Sequence, residues 1–166
     1  MPVESADAAA DVLQAILQDL AAILNVLEGR VLYLIKESAR GAIAPDAVVG
    51  ELAPLLRDLK ACYRRLTDVK ERQDLSYDAA RQLDEADRRS VWLLRKIRGQ
   101  QIFLTKLSLE ARLRSLVPAE AFDIYQALLT HDEEEREMLT SDDARIREFL
   151  LEDPPDGGDG TAAPGV

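Results

Sequence analysis

Apolar residues recur along the first quarter of the chain with the spacing of a helix. Their steps of four and three alternate without a break, which is a heptad pattern. The positions are Leu13, Leu17, Leu20, Leu24, Leu27, Val31 and Leu34. The pattern predicts one helix over residues 5–39, about 50 Å long at 1.5 Å per residue. Gly29 weakens this helix by about 1 kcal/mol relative to Ala but does not end it.

Two further segments repeat this spacing. In the second segment the apolar positions are Leu52, Leu55, Leu59, Cys62, Leu66 and Val69. In the third they are Leu83, Ala86, Ser90, Leu93, Ile97, Gln100, Leu104, Leu107 and Ala111. Polar Ser90 and Gln100 interrupt the third stripe, and polar residues at such positions can fix register or oligomeric state. The alternative, which we favour, is that both lie at the edge of the stripe.

Glycine, proline and capping residues divide the chain into helices. Gly41 and Pro45 separate the first two helices, and Ser76 is a candidate N-cap of the third. Pro118 begins a fourth helix with the apolar residues Phe122, Tyr125, Leu128, Leu129 and Leu139. Residues 131–137 contain no apolar side chain, so we expect that stretch to project into solvent. The polar run 140–143 precedes a short last helix.

The predicted fold class is all-α. No run of alternating β-branched residues lies between turn signals. We expect an elongated antiparallel helical bundle or coiled coil of three to four long helices plus a short C-terminal helix, in one domain over residues 1–152. Helices with such broad stripes favour self-association into a homo-oligomer. The acidic Pro/Gly tail 153–166 is predicted to be disordered.

The expected compartment is the cytoplasm. A single cysteine, Cys62, cannot form an internal disulfide. The N-terminus is acidic where a secretory signal would be basic. The most apolar stretch, residues 12–35, contains charged residues such as Asp19 and Arg30, which a membrane span tolerates poorly. No membrane interaction is expected.

Charge is segregated along the chain. The net charge is −10 overall, with −5 over residues 1–56, +6 over 57–114 and −11 over 115–166. In one interpretation, which we favour, acidic helices pack beside basic ones and select the pairing of helices. In the other, the basic segment presents a face to a polyanion or an acidic partner.

The candidate partner face lies on the third helix. Arg81, Arg88, Trp92 and Arg95 share one side of that helix, and Arg89 and Lys96 lie beside them. A Trp among arginines is typical of an interface anchor and is compatible with phosphate contacts. Alternatively, Trp92 is half-buried under the stems of the arginines. The acidic pI of about 4.6 weighs against nucleic acid as the main partner.

The last helix is a candidate docking element. Its apolar residues Ile146, Phe149 and Leu150 have the spacing of a helix that enters a partner's groove. They are equally suited to pack on the chain's own bundle.

Catalytic chemistry has little support in the sequence. The one histidine, His131, cannot supply the two Glu-x-x-His pairs of a di-metal bundle. Cys62 lies on an apolar stripe, away from that histidine, which is the position of a small buried residue. We predict no catalytic, cofactor-binding or metal site, and expect that the protein is not an enzyme.

The leading functional hypothesis is therefore a non-catalytic protein–protein interaction module, which would be an oligomeric helical adaptor, an assembly factor or a small chaperone. The alternative is a nucleic-acid-binding protein that uses the basic helices of residues 57–114, with the acidic C-terminal segment as a modulator.

Overall fold

Five helices make up the protein. The computed structural model describes residues 2–72, 74–115 and 118–152. The helices are α1 (Pro2–Ala39), α2 (Pro45–Lys70), α3 (Tyr77–Leu113), α4 (Pro118–Thr140) and α5 (Asp143–Leu151). No strand occurs in these described ranges, so the all-α prediction is confirmed. The predicted disorder of residues 153–166 lies outside the described residues.

The helix ends follow local chemistry. Gly41 adopts a positive φ of 72° directly after α1, a conformation that glycine reaches without strain. The Ser76 side chain accepts a hydrogen bond from the Ala79 backbone N–H at 3.2 Å and caps α3. Asp142 does the same for α5, with the Arg145 N–H at 2.9 Å. Pro54 lies inside α2, so that segment forms one helix rather than two.

Helix α3 is the centre of the bundle, because it packs against each of the other four helices. Helices α1, α2 and α3 pack on one another, α4 lies along α3, and α5 packs against α2 and α3. The predicted heptad stripe of α1 faces this core. Its buried residues, which we call the inner seam, are Leu17, Leu20, Leu24, Leu27, Val31 and Leu34.

The polar residues in the apolar stripe of α3 are more buried than the interpretation that we favoured predicts. Ser90 is fully buried, and its hydroxyl donates a hydrogen bond to the Ala86 carbonyl at 2.8 Å. The prediction that Ser90 lies at the edge of the stripe is therefore wrong. A serine fits inside the core because its own helix satisfies the hydroxyl. Gln100 is half-buried.

Ion pairs join acidic helices to basic ones. Arg65 of α2 binds Asp19 of α1 at 2.9 Å. Arg98 of α3 binds Glu134 of α4 at 3.4 Å. This is the pairing that the complementarity interpretation predicts, and it uses much of the positive charge of the central helices within the chain itself.

The expectation that residues 131–137 project into solvent is wrong for one side of α4. His131, Glu134 and Glu135 are half-buried against α3. Lys106 of α3 lies 3.4 Å from Glu135 as well as contacting Asp132. Carboxylates three or four positions apart share one side of a helix, so ion pairs hold α4 where apolar contacts are lacking.

Helix α1 is also long and apolar enough, by length and composition over Ala8–Ala39, to cross a membrane. In the bundle its inner seam is buried among α2 and α3. Its charged residues Asp19 and Glu28 are paired with Arg65 and Arg89 of those helices. These contacts attach α1 to the bundle along one side, and its opposite side is exposed.

Candidate partner-binding face on helix α3

The outward side of α3 carries an uncovered stripe that includes the only tryptophan of the chain. We call it the Trp92 face. Its residues follow helical steps of seven, four, four, three and four, and so lie on one side of the helix. They are Arg81, Arg88, Trp92, Lys96, Gly99 and Phe103. All are exposed except Gly99, whose burial is intermediate.

Two of the six residues predicted for this face serve the fold instead. Arg89 donates hydrogen bonds to Asn25 Oδ1 at 2.7 Å and to Glu28 Oε2 at 3.0 Å, and so holds α3 to α1. Arg95 donates to the Ser141 carbonyl at 3.0 Å and to Asp143 Oδ1 at 2.8 Å. The latter contacts hold the turn between α4 and α5 and leave the Arg95 side chain half-buried.

The other four predicted residues remain at the surface. Among the residues that the structure describes, Arg81 and Arg88 pair within their own helix, with Asp78 at 3.8 Å and Asp84 at 3.1 Å. Such exposed pairs are worth little and leave both guanidinium groups able to bind elsewhere.

Trp92 itself is 39% exposed, a large fraction for so apolar a ring. The Lys96 ammonium lies 5.5 Å from the centroid of the Trp92 ring, in a cation–π geometry. The ring is thus partly covered, and its contact with Lys96 lies at the surface.

Shallow depressions flank the stripe on both sides. One, of about 420 Å³, is lined by Trp92, Arg88, Arg89, Glu28 and Glu85. The other, of about 240 Å³, lies between α3 and α4 and is lined by Arg95, Gly99, Ile102, Glu135, Met138 and Leu139. An apolar side chain from another molecule has room on either side of the ridge formed by Trp92.

Sequence reasoning missed Phe103, which is 51% exposed. The apolar stripe of α3 runs through Leu104 and Leu107, so the pattern alone assigns Phe103 to the same core segment. The available signal is its position three turns after Trp92, because residues eleven apart share one side of a helix. Together the two aromatic rings form the apolar part of the Trp92 face.

The candidate docking helix packs on its own bundle. Ile146 and Leu150 of α5 are fully buried. Phe149 is half-buried, with the Lys60 ammonium 4.3 Å from its ring centroid. Of the two alternatives that the sequence leaves open for these residues, the structure has them packed on the chain's own bundle, against α2 and α3.

A buried polar cluster anchors α5, and sequence reasoning did not find it. Asp87 of α3 is 1% exposed. Arg147 Nε donates a hydrogen bond to Asp87 Oδ2 at 2.9 Å, and the Tyr63 hydroxyl donates to Asp87 Oδ1 at 2.5 Å. The cluster joins α2, α3 and α5 through one carboxylate. Asp87 is not one of the heptad positions of α3, so its burial has no signal in the apolar pattern.

The environment of the cluster shifts the pKa values of its members. Burial alone would raise the pKa of Asp87, but the hydrogen bonds from Arg147 and Tyr63 outweigh burial and lower it. Burial and the hydrogen bond to Asp87 raise the pKa of Tyr63. Asp87 is thus held as a carboxylate, and Tyr63 as a neutral hydroxyl that donates to it.

The groups most often used in catalysis are placed apart. Cys62 is buried, and burial raises the pKa of its thiol, which disfavours the reactive thiolate. His131 Nδ1 lies 3.6 Å from Glu134 of its own helix α4. Within the described ranges, no group of three or more His, Cys, Asp or Glu residues is arranged to hold a metal ion.

Comparison with known proteins gives no assignment, because no family model, curated protein or solved structure matches the chain.

Proposed function

We propose that the protein is a non-catalytic protein–protein interaction module, a self-associating helical adaptor, assembly factor or small chaperone of the cytoplasm, whose partner binds the Trp92 face. The observation that carries this proposal is the uncovered pair of aromatic residues, Trp92 and Phe103, on the outward side of the central helix. Exposed aromatic residues flanked by arginine are the usual composition of binding hot spots.

The arrangement of charges also supports this surface. Arg89 and Arg95 tie the two flanks of the face to α1 and to the α4–α5 turn. Their contacts make the ridge rigid, and a rigid surface loses little conformational entropy when it binds. Arg88 and Lys96 lie beside Trp92 and provide charge for a partner.

These features suit a particular kind of partner. An amphipathic helix would place two apolar side chains in the depressions beside Trp92, with carboxylates opposite Arg88 and Lys96. Trp92 and Phe103 are eleven residues apart, about 16 Å along α3, so a partner helix of four turns would span them.

The nucleic-acid alternative has weaker support. Basic side chains of residues 57–114 such as Arg65, Arg98 and Lys106 are paired with carboxylates of other helices. Phosphate binding requires cations that are available to replace condensed counterions. A salt titration of full-length protein with DNA and RNA tests this alternative, and binding that weakens steeply with salt would favour it.

The test of the proposal is quantitative co-purification of full-length protein from its source cells. The variants Trp92→Ala and Phe103→Ala are compared with Leu151→Ala, a control that removes an exposed apolar side chain from α5. We expect specific partner proteins to be enriched at least about tenfold by the wild type over either face variant, since a lost hot spot costs about 1.4 kcal/mol or more.

The control should retain the same partners. If the wild type and the two face variants recover the same proteins in equal amounts, the Trp92 face is not the binding site. Circular dichroism of each variant ensures that a loss of partners is not a loss of fold.

A further inference from the structure

Helix α4 has its largest apolar side chains on the side turned away from the bundle. Phe122 is 65% exposed, Tyr125 57% and Leu129 60%. They follow helical steps of three and four, so they lie on one side of the helix. We call these three residues the outer α4 stripe. On the opposite side Ile124 is buried, and Leu128 is half-buried. A surface helix normally turns its apolar side toward the core, so α4 departs from the usual arrangement.

Ion pairs supply much of the attachment of α4 to the bundle. Lys106 of α3 contacts Asp132 and lies 3.4 Å from Glu135. Arg98 of α3 lies 3.4 Å from Glu134. In the described part of the chain, α3 is the one helix against which α4 packs. The outer α4 stripe is therefore on the side that has no neighbouring helix.

The outer α4 stripe has the form of a surface that contacts another helix. Contiguous exposed apolar patches on a protein mark sites of contact with other molecules. Phe122 and Leu129 are seven residues apart, which is about 10 Å or two turns along the helix. Side chains at such spacing form a ridge, and a ridge of this kind packs into the groove between side-chain rows of a second helix.

The charges of α4 around this stripe are negative. From Pro118 to Glu135, α4 contains six carboxylates and no lysine or arginine. Asp123 is exposed, and no ion pair joins it to another described residue. Glu133 continues the line of the stripe, eleven residues after Phe122. Its pair with Arg136, at 3.0 Å, is fully at the surface and therefore weak.

The cations of α3 near this surface do not neutralise it. Lys106 and Arg98 together meet three carboxylates at the contact with α4, so that contact keeps a negative charge. Arg112 and Arg114 are exposed at the end of α3. Among the described residues, no ion pair joins either of them to a carboxylate of α4.

We propose that the outer α4 stripe is the docking surface for a cationic amphipathic helix of another protein. The apolar side of that helix covers the stripe, and its lysines or arginines lie opposite the carboxylates beside the stripe. Charge complementarity identifies this occupant. A second copy of α4 would bring carboxylates together, and nucleic acid or an anionic bilayer would be repelled. The surface lies on a different helix from the Trp92 face, so the inference does not rest on the proposed function.

The test is the binding of synthetic peptides to the full-length protein, measured by fluorescence anisotropy. The probe is a peptide of about 18 residues, or five helical turns, with leucine on one side of its helix and lysine on the other. One comparison peptide has glutamate in place of lysine, and a second has the leucines and lysines in scrambled order. We expect saturable one-to-one binding of the leucine–lysine peptide and no binding of the other two.

The apolar part of the contact is tested with two leucines of the same helix. Leu129→Ser should raise the Kd of the leucine–lysine peptide at least about tenfold, because it removes an apolar side chain from the stripe. Leu139→Ser is the matched control, because Leu139 is 77% exposed on α4 but lies on another side of the helix. Leu139→Ser and Trp92→Ala should both leave the Kd unchanged. Circular dichroism should show the same helix content in all variants.

The charged part of the contact is tested by reversing one carboxylate. Asp123→Lys should raise the Kd of the leucine–lysine peptide, because it places a cation beside the bound lysines. Asp58→Lys is the control, because it changes the net charge equally at an exposed position of α2. Its effect should be much smaller. Equal effects would mean that the peptide responds to net charge alone, and would overturn the inference.

Three other results would also overturn it. The first is no binding of the leucine–lysine peptide, or equal binding of the scrambled one. The second is a Kd that Trp92→Ala raises and Leu129→Ser does not, which would assign the peptide to the Trp92 face. The third is a wild-type dimer in sedimentation equilibrium that Leu129→Ser dissociates, which would assign the stripe to a second copy.

Discussion

Helix α5 and the Trp92 face both carry apolar side chains with arginines beside them. The apolar side chains of α5 are buried, whereas those of the Trp92 face are exposed. In α5 the apolar side chains Ile146 and Leu150 are fully buried against α2 and α3. On the Trp92 face the rings of Trp92 and Phe103 stay exposed. Both surfaces are attached to the same central helix, so distance from the core does not explain the difference.

The difference lies in what the neighbouring arginine binds. Arg147 of α5 reaches inward to the buried carboxylate of Asp87, and this contact holds the helix in its groove. Arg89 and Arg95 reach sideways to acidic groups of α1 and of the α4–α5 turn, and leave the ridge between them uncovered. The comparison indicates that α5 is a structural element and favours the Trp92 face as a surface for another molecule.

The largest expected effect comes from removing the anchor of α5. Asp87→Ala leaves the Arg147 charge and the Tyr63 hydroxyl without their partner. Breaking a buried pair costs about 3–5 kcal/mol, and the lower value applies because Arg147 keeps some solvent contact. Urea unfolding followed by circular dichroism measures this loss of unfolding free energy.

The control for that experiment is Asp84→Ala, which removes an exposed carboxylate from the same helix. Asp84 is paired with Arg88 of its own helix, at 3.1 Å on the surface. Its removal should change the unfolding free energy by no more than about 0.5 kcal/mol. Equal effects of the two substitutions would contradict the anchoring role of Asp87.

Truncation of the buried face of α5 should have a somewhat smaller effect. Leu150→Ala removes a fully buried side chain and should lower the unfolding free energy by about 2–3 kcal/mol. The neighbouring Leu151 is 45% exposed, and Leu151→Ala should cost less than about 1 kcal/mol. If Leu151→Ala proved as costly as Leu150→Ala, a different side of α5 would have to face the bundle.

Acid should weaken the same anchor. The pKa of Asp87 is lower in the folded protein than its ordinary value near 3.9. The stabilisation from its ionised form is therefore complete above about pH 4 and is lost as the pH falls through the folded pKa. In Asp87→Asn that part of the pH dependence should be absent. Thermal unfolding of both proteins between about pH 2 and 6 measures it, and identical acid profiles would exclude Asp87 as the source.

The smallest effect on stability is expected at the uncovered patch. Trp92→Ala should lower the unfolding free energy by about 1–2 kcal/mol, less than Leu150→Ala, because the ring is already 39% exposed. Chemical unfolding followed by circular dichroism measures this value. A loss comparable to that of Leu150→Ala would mean that Trp92 belongs to the core.

Most of the fold can be predicted from the pattern of apolar residues in the sequence. The inner seam of α1 is buried at the positions that the heptad spacing indicates, and Gly41, Pro45 and Ser76 lie at helix ends. The prediction of the buried side succeeds because long helices bury one side, and the period of the apolar residues specifies which side.

The candidate site is harder to predict from the sequence, because it depends on contacts between residues far apart in the chain. No local pattern shows that Arg95 binds Asp143 or that Arg147 binds Asp87. Those contacts decide which arginines are structural and which remain at the surface. Phe103 carries a periodic signal, but core residues of the same helix produce the same signal.

The most direct test of the proposed binding surface is photo-crosslinking from the Trp92 face of the full-length protein in its source cells. A photoreactive amino acid is placed at position 92 and, as a control, at Tyr77, which is 84% exposed at the start of the same helix. We expect a discrete crosslinked protein from position 92 that is absent from position 77. Identical products from both positions, or crosslinks from position 92 to nucleic acid alone, would contradict the proposal.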